Sequence, residues 1–316
     1  MSVKIPFIGR INANERNRWI TALTQAAPAD LDICVAPLAE CSEEEKHIVE
    51  VAIVANPDPA ELEQLPNLKW VQSLWAGVET LLKSVPDTLQ IVRMTDPQLA
   101  ETMAEAVLAW VLYLHRDMPT YRQQQAQHIW AQHCVPLPQD RTVGILGLGK
   151  LGIKAASRLI DNGFTVYGWS RSGGNCLGIN SCSGVNGLRH VLQSSHIVVI
   201  LLPLTHETHG LLDANAFNNM PEGASLINFA RGPIVDDTAL LNALNAGQLN
   251  HAVLDVFSQE PLPKDHVFWS HPQITVLPHI SAPTNKTTAS KIAMENIMVF
   301  LSKGTMPTAV NRQQGY

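Results

Sequence analysis

The sequence is poor in charge, and it has no long apolar run and no cluster of basic residues. Only 16% of its 316 residues are charged and 46% are hydrophobic. Disordered chains show the opposite balance, so we expect a folded protein of about two domains. The net charge is −6 and no run of Lys and Arg occurs, which argues against nucleic acid as a partner. The longest apolar runs, residues 106–114 and 197–202, are too short to span a bilayer.

Cysteine is scarce and shows no metal-binding pattern. The five cysteines are Cys34, Cys41, Cys134, Cys176 and Cys182. None forms a CxxC pair, and none has a His at the spacing of zinc ligands. Scattered, odd-numbered thiols are typical of reduced cytosolic proteins. The first residues also lack a basic stretch followed by an apolar one, so we expect a cytoplasmic protein without a secretory signal or a bound metal.

Short apolar segments alternate with helical patterns along the whole chain. The expected strands are 3–9, 32–37, 51–56, 69–75 and 91–95, and then, in a second series, 142–146, 165–169, 196–202, 225–229, 251–256 and 274–277. Between the two series lies a long helical stripe, which we expect Pro119 to end. This alternation predicts an α/β fold whose sheets are largely parallel.

The strongest local motif is a glycine-rich turn. Gly147, Gly149 and Gly152 form G-x-G-x-x-G directly after a strand and at the start of a helix expected over 150–160. The first glycine permits a tight turn, the second lets a pyrophosphate approach the backbone, and the third allows close helix–strand packing. The other residues of the turn, counted with it as cofactor-binding, are Leu148, Lys150 and Leu151. A turn without a ligand, or a site for another adenosine cofactor such as S-adenosylmethionine, remains open.

The end of the next strand indicates which dinucleotide binds. An NAD site has Asp or Glu about 20 residues after the turn, yet no acid occurs between Asp161 and Glu207. Ser170, Arg171 and Ser172 stand there instead and would bind a 2′-phosphate through a guanidinium and two hydroxyls. We therefore expect NADPH, with NADH less preferred. A solvent-exposed Arg171 without this role is the alternative.

Polar residues also follow later strands of the second series, at the sheet edge where ligands bind in open parallel sheets. Arg231 follows the fourth strand of that series, and His279 follows the sixth. Asp255 lies near the end of the fifth strand, and Glu260 comes shortly after it. Taken singly, they could be a surface cation, a structural histidine and a loop acid. Together, an Arg, a His and a Glu beside a cofactor are typical of an active site.

These motifs, in this order, resemble the D-isomer-specific 2-hydroxyacid dehydrogenase family over essentially the whole chain, and within it the branch that reduces glyoxylate and hydroxypyruvate. The resemblance rests on the segments VGILGLGKLG, GWSRS, LLPLTHETHG, NFARGPIVDD, DVFSQEPLP, PHIS and NRQQGY. It implies two Rossmann-like or flavodoxin-like parallel-sheet domains with a cleft between them. The substrate-binding domain would comprise residues 1–100 plus 284–316, and the NAD(P)-binding Rossmann domain residues 101–283. It also implies a homodimer, joined largely through about residues 100–130.

The resemblance implies catalytic roles for three residues. Arg231 would bind the substrate carboxylate and polarise its carbonyl. His279 would protonate the carbonyl oxygen as general acid, and Glu260 would orient the imidazole and favour its charged form.

The same resemblance implies further binding positions. Asp255 matches the position that contacts the nicotinamide carboxamide. The other cofactor-binding positions are Leu202, Pro203, Thr208, Phe229 and Ala230. The family's strand-end turn, whose backbone N–H groups hold the substrate carboxylate, corresponds to Ala76, Gly77 and Val78. Trp75, just before this turn, is a candidate pocket wall, and simple packing is the alternative.

The expected function is NADPH-dependent reduction of small 2-keto acids, glyoxylate to glycolate and hydroxypyruvate to glycerate. A dehydrogenase for another D-2-hydroxy acid remains open, although residues 73–79 contain no Lys or Arg for a phosphorylated substrate. A binding protein of the same fold that only senses the dinucleotide is a third interpretation. The short tails of this chain disfavour it.

Overall fold

The chain forms two structural units and passes between them twice. The computed structural model describes residues 3–28, 32–171, 173 and 178–312. One unit comprises Met1–Gln98 with Thr284–Tyr316, and the other comprises Leu99–Pro283. The sequence predicted boundaries after residues 100 and 283, whereas the units divide after residues 98 and 283. The two domains and their binding roles stay predictions.

The first unit is built on a parallel five-stranded sheet with the order β2-β1-β3-β4-β5. The strands are β1 (Val3–Gly9), β2 (Ile33–Pro37), β3 (Val51–Ala55), β4 (Trp70–Ser73) and β5 (Gln90–Val92). Its helices, numbered in chain order through the whole molecule, are α1 (Ala13–Ala26), α2 (Glu43–Ile48), α3 (Pro59–Leu62), α4 (Glu79–Ser84) and the C-terminal α11 (Lys286–Lys303).

The second unit carries a parallel seven-stranded sheet with the order β12-β11-β10-β9-β6-β7-β8. The strands are β6 (Thr142–Leu146), β7 (Thr165–Trp169), β8 (Asn180–Cys182), β9 (Ile197–Ile200), β10 (Ala224–Asn228), β11 (Leu249–Leu254) and β12 (Ile274–Val276). The helices are α5 (Pro97–His115), which starts at the unit boundary, and α6 (Met118–Ala126), α7 (Lys150–Asp161), α8 (Gly184–Ser194), α9 (Ala214–Asn218) and α10 (Asp237–Asn245).

Both sheets have a buried core on each face, which explains their continuously apolar strands. In the second unit, Val198 and Ile200 of β9 face one core and Val199 faces the other, all fully buried. In the first unit, Ile53 and Val54 of β3 divide in the same way. The predicted fold class, two parallel-sheet α/β domains, is confirmed.

The long helix does not end where the sequence predicted. Helix α5 stops at His115, and the chain turns at Asp117, whose φ of 56° is left-handed. Pro119 lies in the first turn of α6, where a missing backbone N–H costs nothing. The prediction that Pro119 ends the helix is therefore wrong.

The residues that the structure describes contain neither a membrane-spanning helix nor a metal-binding cluster. No helix there is long and apolar enough to cross a bilayer. No group of three or more His, Cys, Asp or Glu side chains in those ranges is placed to hold a metal ion.

Candidate active site

The parallel strands of the second unit all end at one edge of its sheet, and the predicted cofactor and catalytic residues of that unit follow those ends. The glycine turn follows β6, Ser170 and Arg171 follow β7, and the loop from Leu202 to Thr208 follows β9. Arg231 follows β10 in the same manner. Asp255 and Glu260 follow β11, and His279 follows β12. This arrangement is the one that places ligands beyond the carboxyl ends of strands.

Two glycines of the turn are required by the fold itself. Gly147 has φ of 112°, and a Cβ there would lie 2.6 Å from the carbonyl oxygen of Leu201. A Cβ on Gly152 would lie 1.8 Å from the carbonyl oxygen of Gly147. Both positions therefore exclude any side chain, independently of a ligand.

Neither backbone conformation nor close packing requires a glycine at position 149. Its φ of −80° and ψ of −168° suit any residue, and a Cβ built there meets nothing within 4 Å. It is also the N-cap of α7 and provides no side-chain cap for the helix N–H groups. Open space in front of an uncapped helix start is what a pyrophosphate needs, so the turn fits a dinucleotide.

The proposed 2′-phosphate residues follow β7 directly. Ser170 is partly buried, and its backbone N–H donates to the carbonyl oxygen of Cys182 at 3.2 Å. Arg171 is exposed. Ser172, the third predicted member, lies outside the described residues.

The loop after β9 is closed by its own threonine. The Thr208 hydroxyl donates to the carbonyl oxygen of Pro203 at 2.7 Å and accepts from the Thr205 N–H at 2.8 Å. Leu202 and Thr208 are each 8% exposed. In this structure the Thr208 side chain shapes the loop.

Asn228, which sequence reasoning missed, shapes the turn that carries Arg231. This last residue of β10 is 1% exposed; its Oδ1 accepts from the Ala230 N–H at 3.1 Å and its Nδ2 donates to the Arg231 carbonyl at 3.0 Å. Phe229 and Ala230 are buried within this turn. An amide at the end of a buried apolar strand was the available signal.

A close backbone contact brings the Arg231 turn against the Glu260 loop. A Cβ on Gly232 would lie 2.0 Å from the carbonyl carbon of Phe257. Glu260 belongs to the same loop as Phe257, and its Oε1 accepts from the Phe257 N–H at 3.0 Å. The sequence G-P after the arginine thus allows two loops from different strands to meet.

His279 and Glu260 form a carboxylate–imidazole pair. Nδ1 of His279 lies 2.7 Å from Oε2 of Glu260. A carboxylate only accepts, so Nδ1 carries the proton and Nε2 is left for other partners. The His279 side chain is 53% exposed, and its ring is therefore accessible to a small molecule.

Hydrogen bonds, burial and neighbouring charges shift the pKa of both residues of this pair. The hydrogen bond to Glu260 is the main cause that raises the pKa of His279; burial and Arg231 oppose it, and the charges of Glu260 and Asp255 add to it. Burial acts to raise the pKa of Glu260, but the hydrogen bonds from His279 and the Phe257 N–H, with the charges of His279 and Arg231, lower it overall. Arg231 acts electrostatically on both groups, so its positive charge is felt by the pair.

Asp255 holds the backbone around His279. It is 2% exposed, and its two oxygens accept from the N–H groups of Ile280 at 2.7 Å and Ser281 at 2.9 Å. His279 itself has φ of 54°, a left-handed value that costs a non-glycine residue energy. The buried carboxylate thus helps to keep the histidine in an unfavourable backbone conformation.

The predicted substrate-binding turn lies in the first unit, after β4. Trp75 is partly exposed, and Ala76, Gly77 and Val78 lead into α4. Gly77 and Val78 line a cavity of about 50 Å³ together with Asn56 and Ser73. Asn56 has φ of 51°, so this site too has a non-glycine residue in the left-handed region.

Comparison with known proteins identifies the family. The model of the D-isomer specific 2-hydroxyacid dehydrogenase NAD binding domain matches residues 108–281. A glyoxylate/hydroxypyruvate reductase A from Yersinia enterocolitica is 35% identical over 311 residues, which cover 96% of this chain and 97% of the relative. The chain therefore belongs to the D-isomer specific 2-hydroxyacid dehydrogenases.

Solved structures agree in fold over nearly the whole length. A family member from Xanthobacter autotrophicus, crystallised with NADPH and MES, has a TM-score of 0.89 and 36% identity, covering 98% of this chain and 99% of that one. An NADPH-dependent glyoxylate/hydroxypyruvate reductase from Sinorhizobium meliloti, crystallised with NADP and sulfate, has a TM-score of 0.88 and 30% identity, covering both chains fully, at 100%.

Proposed function

We propose that this protein is an NADPH-dependent reductase of small 2-keto acids, converting glyoxylate to glycolate and hydroxypyruvate to glycerate. The observation that carries the proposal is the His279–Glu260 pair, with the charge of Arg231 acting on both groups. The glycine turn lies at the same edge of the same sheet. The activities named for the relatives from Yersinia and Sinorhizobium support the choice of substrate and cofactor.

The cofactor would be held along the carboxyl edge of the second sheet. Bound NADPH would supply a hydride to C2 of the substrate. Gly149 leaves room for the pyrophosphate at the start of α7, and Ser170 and Arg171 would bind the 2′-phosphate. The remaining sides of the proposed cofactor site would be lined by Leu202, Pro203, Thr208, Phe229, Ala230 and Asp255.

The chain's own groups would supply the proton and neutralise the developing charge. Arg231 would bind the substrate carboxylate and polarise the carbonyl, since a guanidinium offers several fixed donors and is always charged. As the C2–H bond forms, the carbonyl π electrons move to oxygen, and His279 Nε2–H protonates that oxygen. Glu260 would hold the imidazolium in place until the proton leaves, and neutral His279 would then regain a proton from water.

The turn after β4 would also contribute donors to the substrate carboxylate. The turn of Ala76, Gly77 and Val78 would offer backbone N–H groups to the carboxylate, with Trp75 as an apolar wall. A cationic side chain is absent from residues 73–79, so backbone dipoles would do this work and a compact, unphosphorylated acid would be favoured.

A kinetic experiment tests this proposal. The purified protein is mixed with NADPH and glyoxylate or hydroxypyruvate, and the loss of reduced-nicotinamide absorbance is followed. His279→Ala should lower kcat by about 10²–10⁴-fold, as expected for a lost general acid, while the Kd for NADPH stays unchanged. His47→Ala, at an exposed histidine of α2, is the matched control. A wild type that oxidises no NADPH with any small 2-keto acid would refute the proposal.

We also propose a homodimer joined through α6 and the segment that follows it. Several large apolar side chains are exposed there: Met118, Ile129, Trp130, Val135 and Leu137. Trp130 is 96% exposed and borders a groove of about 420 Å³. Exposed apolar patches of this kind mark protein interfaces. Trp130→Glu should shift the light-scattering mass from dimer to monomer, whereas Ile48→Glu, at another exposed apolar residue, should not.

A cytoplasmic location stays a prediction from the sequence. Cys34, Cys41, Cys134 and Cys182 are free thiols in this structure, as is usual in a reducing compartment.

A further inference from the structure

The last residue of β10 is an amide buried inside an apolar sheet. Asn228 is 1% exposed, and it pairs in register with Ile200 of β9 and Leu254 of β11, both of which are buried. A polar side chain in such surroundings costs free energy unless its donors and acceptors are bonded. The bonds that the Asn228 side chain makes therefore identify the part of the structure that it serves.

The amide of Asn228 holds two peptide groups of the turn that follows β10. Its Oδ1 accepts from the N–H of Ala230 at 3.1 Å, and its Nδ2 donates to the carbonyl oxygen of Arg231 at 3.0 Å. These groups belong to the peptide before Ala230 and to the peptide after Arg231. The amide therefore spans the Ala230–Arg231 peptide and fixes the backbone on both sides of it.

The spanned peptide is the one that anchors the arginine side chain. Nη1 of Arg231 donates to the carbonyl oxygen of Ala230 at 2.6 Å. A guanidinium is planar and carries its five N–H groups in a fixed fork, so one bond to a fixed carbonyl restricts the direction of the whole fork. A movement of the Ala230 carbonyl would move the guanidinium with it. The amide of Asn228 thus acts on the guanidinium through the backbone.

The backbone of Asn228 makes a further connection to the site. Its carbonyl oxygen accepts from the N–H of Asp255 at 3.1 Å, and the Asp255 carboxylate holds the backbone that follows His279. A substitution of Asn228 keeps this backbone bond and removes the side-chain bonds to the arginine turn. Such a substitution therefore tests the positioning of Arg231.

We propose that Asn228 is the positioning residue for Arg231, and that its amide aims the guanidinium at the substrate carboxylate. The inference rests on the proposed reduction of 2-keto acids, in which Arg231 binds that carboxylate. Without the amide, the Ala230 carbonyl is no longer held on both sides, and the guanidinium samples directions in which its fork does not meet the substrate. The amide thereby contributes to substrate binding and turnover through Arg231.

The kinetics of two substitutions test this role. Asn228→Ala removes both side-chain bonds, so we expect kcat/KM for glyoxylate with NADPH to fall about tenfold or more, the scale of one or two buried hydrogen bonds. Asn228→Ser keeps a hydroxyl that can accept from the N–H two residues further on, so its loss should be intermediate. KM for glyoxylate should rise in both variants.

A matched control separates positioning from the general loss of a buried hydrogen bond. Ser195 is 0% exposed, and its hydroxyl donates to the carbonyl oxygen of Val191 at 2.6 Å. It precedes β9, at the opposite edge of the same sheet from Asn228. Ser195→Ala should lower the melting temperature, yet it should leave KM and kcat/KM for glyoxylate unchanged.

A double variant tests whether the effect of the amide passes through the arginine. Arg231→Lys keeps the charge but has no planar fork to aim. Adding Asn228→Ala to Arg231→Lys should therefore lower kcat/KM by clearly less than Asn228→Ala does in the wild type. Groups that act independently would instead give factors that multiply.

The outcomes distinguish this role from the proposed function. An active wild type whose kinetics are unchanged in folded Asn228→Ala and Asn228→Ser would overturn the positioning role and leave the proposed function intact. Multiplying factors in the double variant, or an equal loss of kcat/KM in Ser195→Ala, would do the same. If Asn228→Ala does not fold, Asn228→Ser carries the same comparisons. A wild type that reduces no 2-keto acid would overturn both proposals.

Discussion

Glu260 and His279 lie 19 positions apart in the chain, yet Oε2 of the carboxylate is 2.7 Å from Nδ1 of the imidazole. The pair raises the pKa of the histidine chiefly through this hydrogen bond. At neutral pH this favours the charged imidazolium, the form that a general acid needs in the reduction of a carbonyl. The pH dependence of turnover is therefore a direct test of the pair.

We predict that kcat/KM for glyoxylate falls as the pH rises through the pKa of His279, because only the protonated ring can donate. Glu260→Gln removes the hydrogen bond to a carboxylate and its charge, the first and third causes of the shift, so the alkaline limb should move to lower pH. Gln keeps an oxygen that can accept from the Phe257 N–H, so the loop should be preserved. A limb at the same pH in both proteins would contradict the pairing.

Catalytic activity should depend on the planar shape of the Arg231 guanidinium and not only on its charge. Arg231→Lys retains the charge but not the planar fork, so we expect KM for glyoxylate to rise and kcat to fall, together by roughly 10–100-fold in kcat/KM, the scale of charge-assisted hydrogen bonds. The Kd for NADPH should not change, as measured by fluorescence titration. Kinetics equal to the wild type would remove the proposed role.

The glycine turn offers a comparison within one motif. Gly149→Ala should keep the wild-type melting temperature, because its Cβ enters open space, but it should weaken NADPH binding. Gly152→Ala should instead destabilise the fold, because its Cβ would overlap the carbonyl oxygen of Gly147. Thermal melts and cofactor titrations separate the two effects. Tight NADPH binding by Gly149→Ala would contradict the idea that this space receives the pyrophosphate.

Cofactor preference should depend on the residues after β7. The wild type should show the higher kcat/KM with NADPH, and Ser170→Asp should reverse this, since a carboxylate repels the 2′-phosphate and accepts from a ribose hydroxyl. Arg171→Ala should lower the NADPH value alone, by roughly tenfold or more for a lost charge-assisted contact. Equal effects of Arg171→Ala with both cofactors would count against a 2′-phosphate site.

Most of the architecture follows from local patterns. β1, β6 and β7 begin and end at the predicted residues, because apolar, β-branched segments there are bounded by clear turn signals. α10 begins at a local signal as well, because it is capped by Asp236, whose Oδ1 accepts from the Ala239 N–H at 2.9 Å. β8 was missed: its three residues, Asn-Ser-Cys, show no apolar alternation, and they form a strand by pairing with β7.

The sequence predicted which residues form the candidate site, but not the contacts that hold those residues in place. Arg231, Glu260 and His279 stand out because charged groups follow apolar strands. The close contact of Gly232 with Phe257 and the bonds from Asp255 to Ile280 and Ser281 depend on loops that meet only in the folded chain. Spacing along the sequence carries no information about such contacts.

Isotope transfer tests the central claim most directly. The protein is incubated with NADPH deuterated at the transferable position of the nicotinamide and with glyoxylate, and the product is analysed by mass spectrometry. We predict glycolate that carries one deuterium at C2, formed in step with NADPH oxidation and slowed in His279→Ala by the same factor as NADPH oxidation. Glycolate without deuterium, or oxidation of NADPH without glycolate, would contradict hydride transfer at this site.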